Sequence, residues 1–229
     1  MIKAVIFDFD NTLMDFMRMK RAAVEAAVDA MIDAGMPYSK ADMIEKIYKV
    51  YTSEGIEDQQ IFDKVLLKEF GKIDYKILAS GIIGYRRAKD GTLALYPHVQ
   101  LTLTALARMG IQMAVVSDAP RLPVWLRICG LGLQHYFDVV VTWDDSGFKK
   151  PHARPFQMAL ERLGVKAGEA LMIGDWPERD MVGAKGVGLQ TVFARYGDTT
   201  GAKHSGADFD VDDIAQLTDI IRRQNSAAP

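Results

Sequence analysis

Short, mostly apolar runs recur along the chain, at residues 4–7, 111–116, 137–142, 170–173 and 190–194. They alternate too little for strands with one face in water and suit strands buried on both faces. Between them lie segments of helical periodicity, at residues 99–109, 122–129 and 154–163. Buried strands alternating with helices predict parallel βαβ units in an α/β sheet. Gly110, Gly130, Gly164 and Gly188 fall near the expected helix ends, where a left-handed backbone is cheapest for glycine. A further short strand is expected at residues 209–211 and a helix at 213–223, with residues 225–229 frayed.

One stretch breaks this rhythm. Between Phe16 and Asp90 the pattern is helical, with Met19, Ala23, Ala27, Met31 and Ala34 on one stripe, widened by Val24 and Val28. Gly35 and Pro37 end that helix, and residues 42–51, 60–70 and 75–88 predict three more. The sheet therefore gives one strand, pauses for a helical bundle and resumes near Tyr96. The expected organisation is an α/β, Rossmann-like core made of residues 1–15 and 91–229, with an inserted α-helical domain at 16–90.

Composition narrows the function classes. Apolar residues make up 49% and charged residues 25% of the 229, enough to bury a core in a soluble protein. A net charge of −2 gives no general pull toward a nucleic acid polymer or anionic lipid, so any anion must be bound locally. No apolar stretch approaches the roughly 20 residues that span a bilayer. The single cysteine, Cys129, excludes an internal disulfide. With no basic or small-residue leader pattern at the N-terminus, the expected location is the cytoplasm. Sequence alone fixes no oligomeric state.

The chemistry-bearing residues cluster at predicted strand ends. Asp8 and Asp10 follow the first strand, in Asp8-Phe9-Asp10-Asn11-Thr12. Two carboxylates that close are costly to ionise together unless a cation joins them, and a hard, oxygen-binding ion such as Mg²⁺ resolves the conflict. Taken alone, both are equally turn residues. Asp175 follows the strand at 170–173 and Asp180 lies five residues further on, where it also suits a helix N-terminus. Ser117 and Asp118 end the strand at 111–116, and Lys149, Lys150 and Pro151 follow the strand at 137–142. A lysine among carboxylates neutralises both a nucleophile and a transferring phosphoryl group. Their conjunction along one edge of one sheet carries the functional expectation, because ligands of open α/β sheets bind at the carboxyl ends of the strands. The four histidines, His98, His135, His152 and His204, share no metal-ligand spacing.

This set resembles the haloacid dehalogenase superfamily of phosphotransferases. Its DxDxT motif is met by Asp8, Asp10 and Thr12, its Ser/Thr motif by Ser117, its Lys motif by Lys150-Pro151, and its GDxxxxD motif by Gly174, Asp175 and Asp180. The helical insert resembles the family's all-α C1 cap, which would control access and selectivity. The resemblance implies that Asp8 is the nucleophile and forms an aspartyl-phosphate, with Asp10 as general acid and then general base. It implies Mg²⁺ held by the Asp8 carboxylate, the Asp10 backbone carbonyl and Asp175, with Asp180 assisting. Thr12, Ser117, the Asp118 N–H and Lys150 would meet the substrate, a small-molecule phosphate ester. Asp118 departs from the asparagine often found there, and would repel phosphate if its side chain faced it. The implied activity is hydrolysis of phosphate monoesters. The alternatives are a sugar phosphomutase using the same residues, a 2-haloacid dehalogenase, disfavoured because a halide needs no acid at Asp10, and an idle binding protein.

Overall fold

The computed structural model describes residues 1–226. Strand β1 (Ala4–Phe7) is followed by helices α1 (Phe16–Asp33), α2 (Lys40–Glu54), α3 (Ile61–Phe70) and α4 (Tyr75–Gly91). Then come α5 (Val99–Arg108), β2 (Gln112–Val116), α6 (Arg121–Gly130), β3 (Val139–Val141), α7 (Trp143–Ser146) and α8 (Ala153–Leu163). The chain closes with β4 (Ala170–Gly174), α9 (Val182–Gly186), β5 (Gln190–Ala194), β6 (Phe209–Val211) and α10 (Gln216–Ser226). It divides into two compact units, one of residues 1–15 and 94–229 and one of residues 16–93. No helix among the described residues is long and apolar enough to cross a membrane.

The first unit carries a six-stranded sheet in the order β3-β2-β1-β4-β5-β6, parallel throughout. All residues of β1 and β4 are buried, which explains their unbroken apolar runs. Ala4, Ile6, Ala114, Val116, Ala170 and Met172 share one face and pack on Phe156, Ala159 and Leu163 of α8. Alternate residues of β1, Val5 and Phe7, are equally buried, as strand geometry requires of a sheet covered on both sides. The sequence order reverses on either side of β1, so the switch point of this sheet lies among β2, β1 and β4. Phe7 is in register with both Val115 and Ile173, which brings Asp8, Ser117 and Asp175 to nearly the same height on neighbouring strands.

The second unit is all helical, with a core that includes Val24, Ala27, Val28, Met31, Met43, Ile47, Ile61, Val65, Leu66 and Leu78. Two glycines inside α4 are explained by close packing on α1. A Cβ at Gly84 would lie 2.6 Å from the Ala26 carbonyl oxygen, and one at Gly81 would run into Met31. Lys20 is buried in this unit, donating to the Ile56 carbonyl at 2.6 Å and to the Tyr85 hydroxyl at 3.0 Å, with its ammonium over the Tyr51 ring. A buried charge needs such partners.

Several local expectations are corrected. Gly130 is the last residue of α6, and it is Gly132 that takes the left-handed backbone, φ 70°. Helix α10 starts at Gln216 because the Gln216 side chain first accepts from the N–H groups of Asp212 and Asp213. Asn225 is not frayed: its side chain accepts from the Ile2 N–H at 2.5 Å and donates to the Ile2 carbonyl at 3.0 Å, and α10 runs through Ser226. The rest of the expected frayed end, 227–229, lies outside the described residues.

Candidate active site

Asp8 extends the sheet by one bond, its N–H donating to the Ile173 carbonyl at 2.9 Å, before the chain turns away. Asn11 makes that turn with φ 60°, a left-handed conformation that asparagine tolerates better than most residues. The turn sends Thr12 back beneath the strand ends. Its fully buried hydroxyl lies 3.3 Å from Asp8 Oδ2 and 3.3 Å from Asp175 Oδ1.

Lys150 reaches the same point from the other side. The segment after β3 is more ordered than its sequence suggests, because Thr142 and Asp145 form a reciprocal capping box that starts the short helix α7. Beyond it, the Lys150 ammonium sits 2.5 Å from Asp8 Oδ1 and 2.6 Å from Asp180 Oδ1. Lys150, Asp8, Asp175 and Asp180 are all buried. Burial alone would push the lysine down, but the carboxylates of Asp180, Asp8 and Asp118 outweigh it and hold the ammonium above its usual value.

Asp175 precedes a widened helical turn, Pro177–Met181, and Asp180 lies within it. The turn folds Asp180 back so that its Oδ2 accepts from the Trp176 N–H at 3.0 Å. A Cβ at Gly174 would come within 2.4 Å of the Asp180 carboxyl carbon, so the strand must end on glycine for this approach. Ligand oxygens of Asp8, Asp175 and Asp180 lie within 4.8 Å of one another. Burial first, then the charges of Asp8 and Asp180, push Asp175 up to about 10. Burial also raises Asp180, to about 7, against the lowering effect of Lys150. Three buried carboxylates against one lysine make a pocket short of positive charge, and its donors are all oxygen. That donor set fits a hard divalent cation such as Mg²⁺.

The remaining expected residues are near but differently engaged. Ser117 is buried at the end of β2, and its Oγ accepts from the Ala119 N–H at 3.2 Å. The Asp118 carboxylate accepts from the Lys150 N–H at 2.8 Å and from Arg179 Nη1 at 3.3 Å, and Arg179 stacks on Trp176. The side chain in place of asparagine is thus tied to the lysine segment. The Asp10 side chain stands outside the carboxylate cluster, with Oδ2 accepting from Arg127 Nη1 at 2.7 Å.

Three residues here escaped the sequence reading. Tyr196, after β5, donates its hydroxyl to the Thr12 carbonyl at 2.8 Å and packs edge-on against Tyr96. Gly197 lies so close to the Asn11 carbonyl that no side chain fits. Both sit just past the carboxyl end of the interior strand β5, which was the available signal. Arg127 lies on the buried stripe of α6 with Val124 and Ile128, while Leu122 and Leu126 face outward. A charged residue on an inward helical stripe would have marked it.

Comparison with known proteins agrees with this architecture. Residues 5–194 match the family described as haloacid dehalogenase-like hydrolase. A protein of Methanocaldococcus jannaschii named glyceraldehyde 3-phosphate phosphatase is 33% identical over 225 residues, covering 97% of this chain and 98% of that protein. Among solved structures, a phosphatase of this family from Thermococcus onnurineus superposes with a TM-score of 0.71 at 28% identity, covering 96% of this chain and 98% of the other. In fold alone, a structure described as a β-phosphoglucomutase from Thermotoga maritima is similar, with a TM-score of 0.77 at 22% identity over 97% of this chain and 99% of the other. With that match spanning most of its length, the chain belongs to the haloacid dehalogenase-like hydrolases.

Proposed function

We propose that this phosphatase hydrolyses phosphate monoesters of small metabolites through an aspartyl-phosphate on Asp8, with Mg²⁺ as cofactor. The observation that carries the reading is the Lys150 ammonium 2.5 Å from Asp8 Oδ1, beside a cluster of buried carboxylates. A carboxylate attacks a phosphate dianion poorly across two like charges, and a fixed ammonium at the point of attack reduces that repulsion. Asp8 would attack phosphorus in line, while Lys150, the Ser117 hydroxyl and the Asp118 N–H hold phosphoryl oxygens. Asp10 would protonate the departing ester oxygen and then take a proton from the water that cleaves the acyl phosphate. Asp180, bound to Lys150 and to the Trp176 N–H, would keep the lysine in place. Asp8, Asp175 and the Asp10 backbone carbonyl would hold Mg²⁺, with Asp180 in support. The ion supplies charge neutralisation for the phosphate and the carboxylates.

The relative from M. jannaschii makes glyceraldehyde 3-phosphate the first substrate to try. The helical unit takes the role of a substrate-selecting cap in this reading, supported by its insertion directly after the Asp8–Thr12 segment. The chain's single cysteine, Cys129, is unpaired and suits a reducing cytoplasm, and no helix among the described residues is long and apolar enough to cross a membrane. The test is phosphate release from p-nitrophenyl phosphate and a panel of sugar and triose phosphates, with Mg²⁺ or chelator, beside Asp8→Asn. Activity needing both Mg²⁺ and Asp8 supports the reading; full activity in Asp8→Asn removes the nucleophile assignment. Isomer formation outrunning phosphate release would favour a mutase, chloride release from a 2-haloacid a dehalogenase.

A further inference from the structure

Arg127 is almost wholly enclosed, 4% exposed, on the inward stripe of α6. Placing a guanidinium there is costly unless it is paired, and Asp10 is a partner, with Nη1 donating to Oδ2 at 2.7 Å. Arginine has donors only and does not give up its proton. While the bond stands, Oδ2 is engaged as an acceptor and the plane of the Asp10 carboxyl is held against the guanidinium. The bond therefore fixes the orientation of the Asp10 carboxyl, which a free aspartate side chain does not hold.

We propose that Arg127 is a positioning residue for Asp10, holding that carboxyl in the orientation from which it serves the leaving group. The proposal rests on the reading of Asp10 as general acid in the preceding section. Arg127 touches neither substrate nor the reacting atoms in this account; its effect on the reaction runs through Asp10. That makes the consequence selective. An ester whose leaving group departs as a stabilised phenolate needs little protonation, whereas an alkoxide needs it fully. Removing Arg127 should therefore hurt alkyl phosphates far more than aryl phosphates, a pattern that general loss of structure does not produce.

The experiment compares kcat/KM, which reports the first phosphoryl transfer, for p-nitrophenyl phosphate and for the alkyl phosphate that the wild-type protein hydrolyses best. Wild type, Arg127→Met, Arg127→Gln and Arg127→Lys are measured side by side, with Asp8→Asn as the control for the parent chemistry. Well-placed general acids contribute on the order of 10²–10⁴-fold. The expected result for Arg127→Met is a loss of about 10²-fold on the alkyl ester and under about tenfold on the aryl ester, mostly in kcat. Arg127→Lys, which keeps a cationic donor, should recover most of the alkyl activity. If the methionine variant does not fold, Arg127→Gln carries the same comparison, since it retains much of the stem and a neutral donor. Equal losses on both esters, or none, overturn the positioning role while leaving Asp8-dependent hydrolysis intact. Activity that survives Asp8→Asn instead sinks the parent reading.

Discussion

Adding one methyl group at Gly174 should damage the site from behind. The Cβ of Gly174→Ala would lie 2.4 Å from Asp180 Cγ, 2.4 Å from Oδ2 and 2.7 Å from Cβ. Gly174 has no positive φ, so alanine meets no backbone penalty and the whole effect is the collision. Asp180 cannot simply swing aside, because one oxygen faces Lys150 at 2.6 Å and the other accepts from the Trp176 N–H at 3.0 Å. Overpacking of this kind costs about 1–3 kcal/mol. A weakened hydrogen bond to a charged group adds roughly 1.5–3 kcal/mol. Some relaxation is shared between the two, so the expected loss is about 2–5 kcal/mol, or roughly 5–20 °C in Tm for a protein of this size. A displaced Lys150 no longer matches Asp8, and a misplacement near 1 Å can cost on the order of 10²-fold in rate. The assay is a thermal melt with steady-state phosphate release. Asp180→Ala in the Gly174→Ala background should restore part of the stability, a non-additive result that locates the clash. Wild-type Tm and kcat in Gly174→Ala would refute the reasoning.

Tyr196→Phe removes the hydroxyl bonded to the Thr12 carbonyl at 2.8 Å, and should lower stability by about 1 kcal/mol, seen as a small Tm decrease with the overall fold unchanged in circular dichroism. Mg²⁺ at a hundredfold excess over its Kd should stabilise the protein by about 2.7 kcal/mol, roughly 5–10 °C in calorimetry, and Asp175→Asn should abolish that gain. A rise that persists in the mutant would place the ion elsewhere. In the helical unit, Gly84→Ala should destabilise by about 1–3 kcal/mol even though alanine is the better helix former, because its Cβ would press on the Ala26 carbonyl at 2.6 Å. Stabilisation of that unit in hydrogen exchange would contradict the close packing of α1 and α4.

What the sequence revealed follows from how each feature is encoded. Strands β1 and β4 were legible because a sheet covered on both faces demands unbroken apolar runs; β5 and β6 also fall at the residues expected, although β6 carries the exposed Asp210. The long helices were legible through periodicity, as in the Met19, Ala23, Ala27 and Met31 stripe of α1. Helix α7 was not, since a four-residue helix has no periodicity and depends on the reciprocal Thr142–Asp145 bonds. Asp8 and Asp175 could be expected near one another because register brings the ends of β1 and β4 together, whereas Lys150 and Asp180, further along the chain, came with the motifs they match. Their order of contact could not be expected, because it depends on a turn at Asn11 and on how Asp180 folds back under Gly174. Tyr196 and Arg127 act across 184 and 117 residues of sequence separation, and no local pattern carries such pairings.

The central claim is the covalent step on Asp8. Rapid acid quench during turnover of a substrate labelled in its phosphoryl group, followed by peptide mapping, tests it most directly. The account requires label on the peptide containing Asp8, appearing before free phosphate and absent from Asp8→Asn. Full-rate phosphate release with no label on the protein, or label on a peptide lacking Asp8, would contradict it.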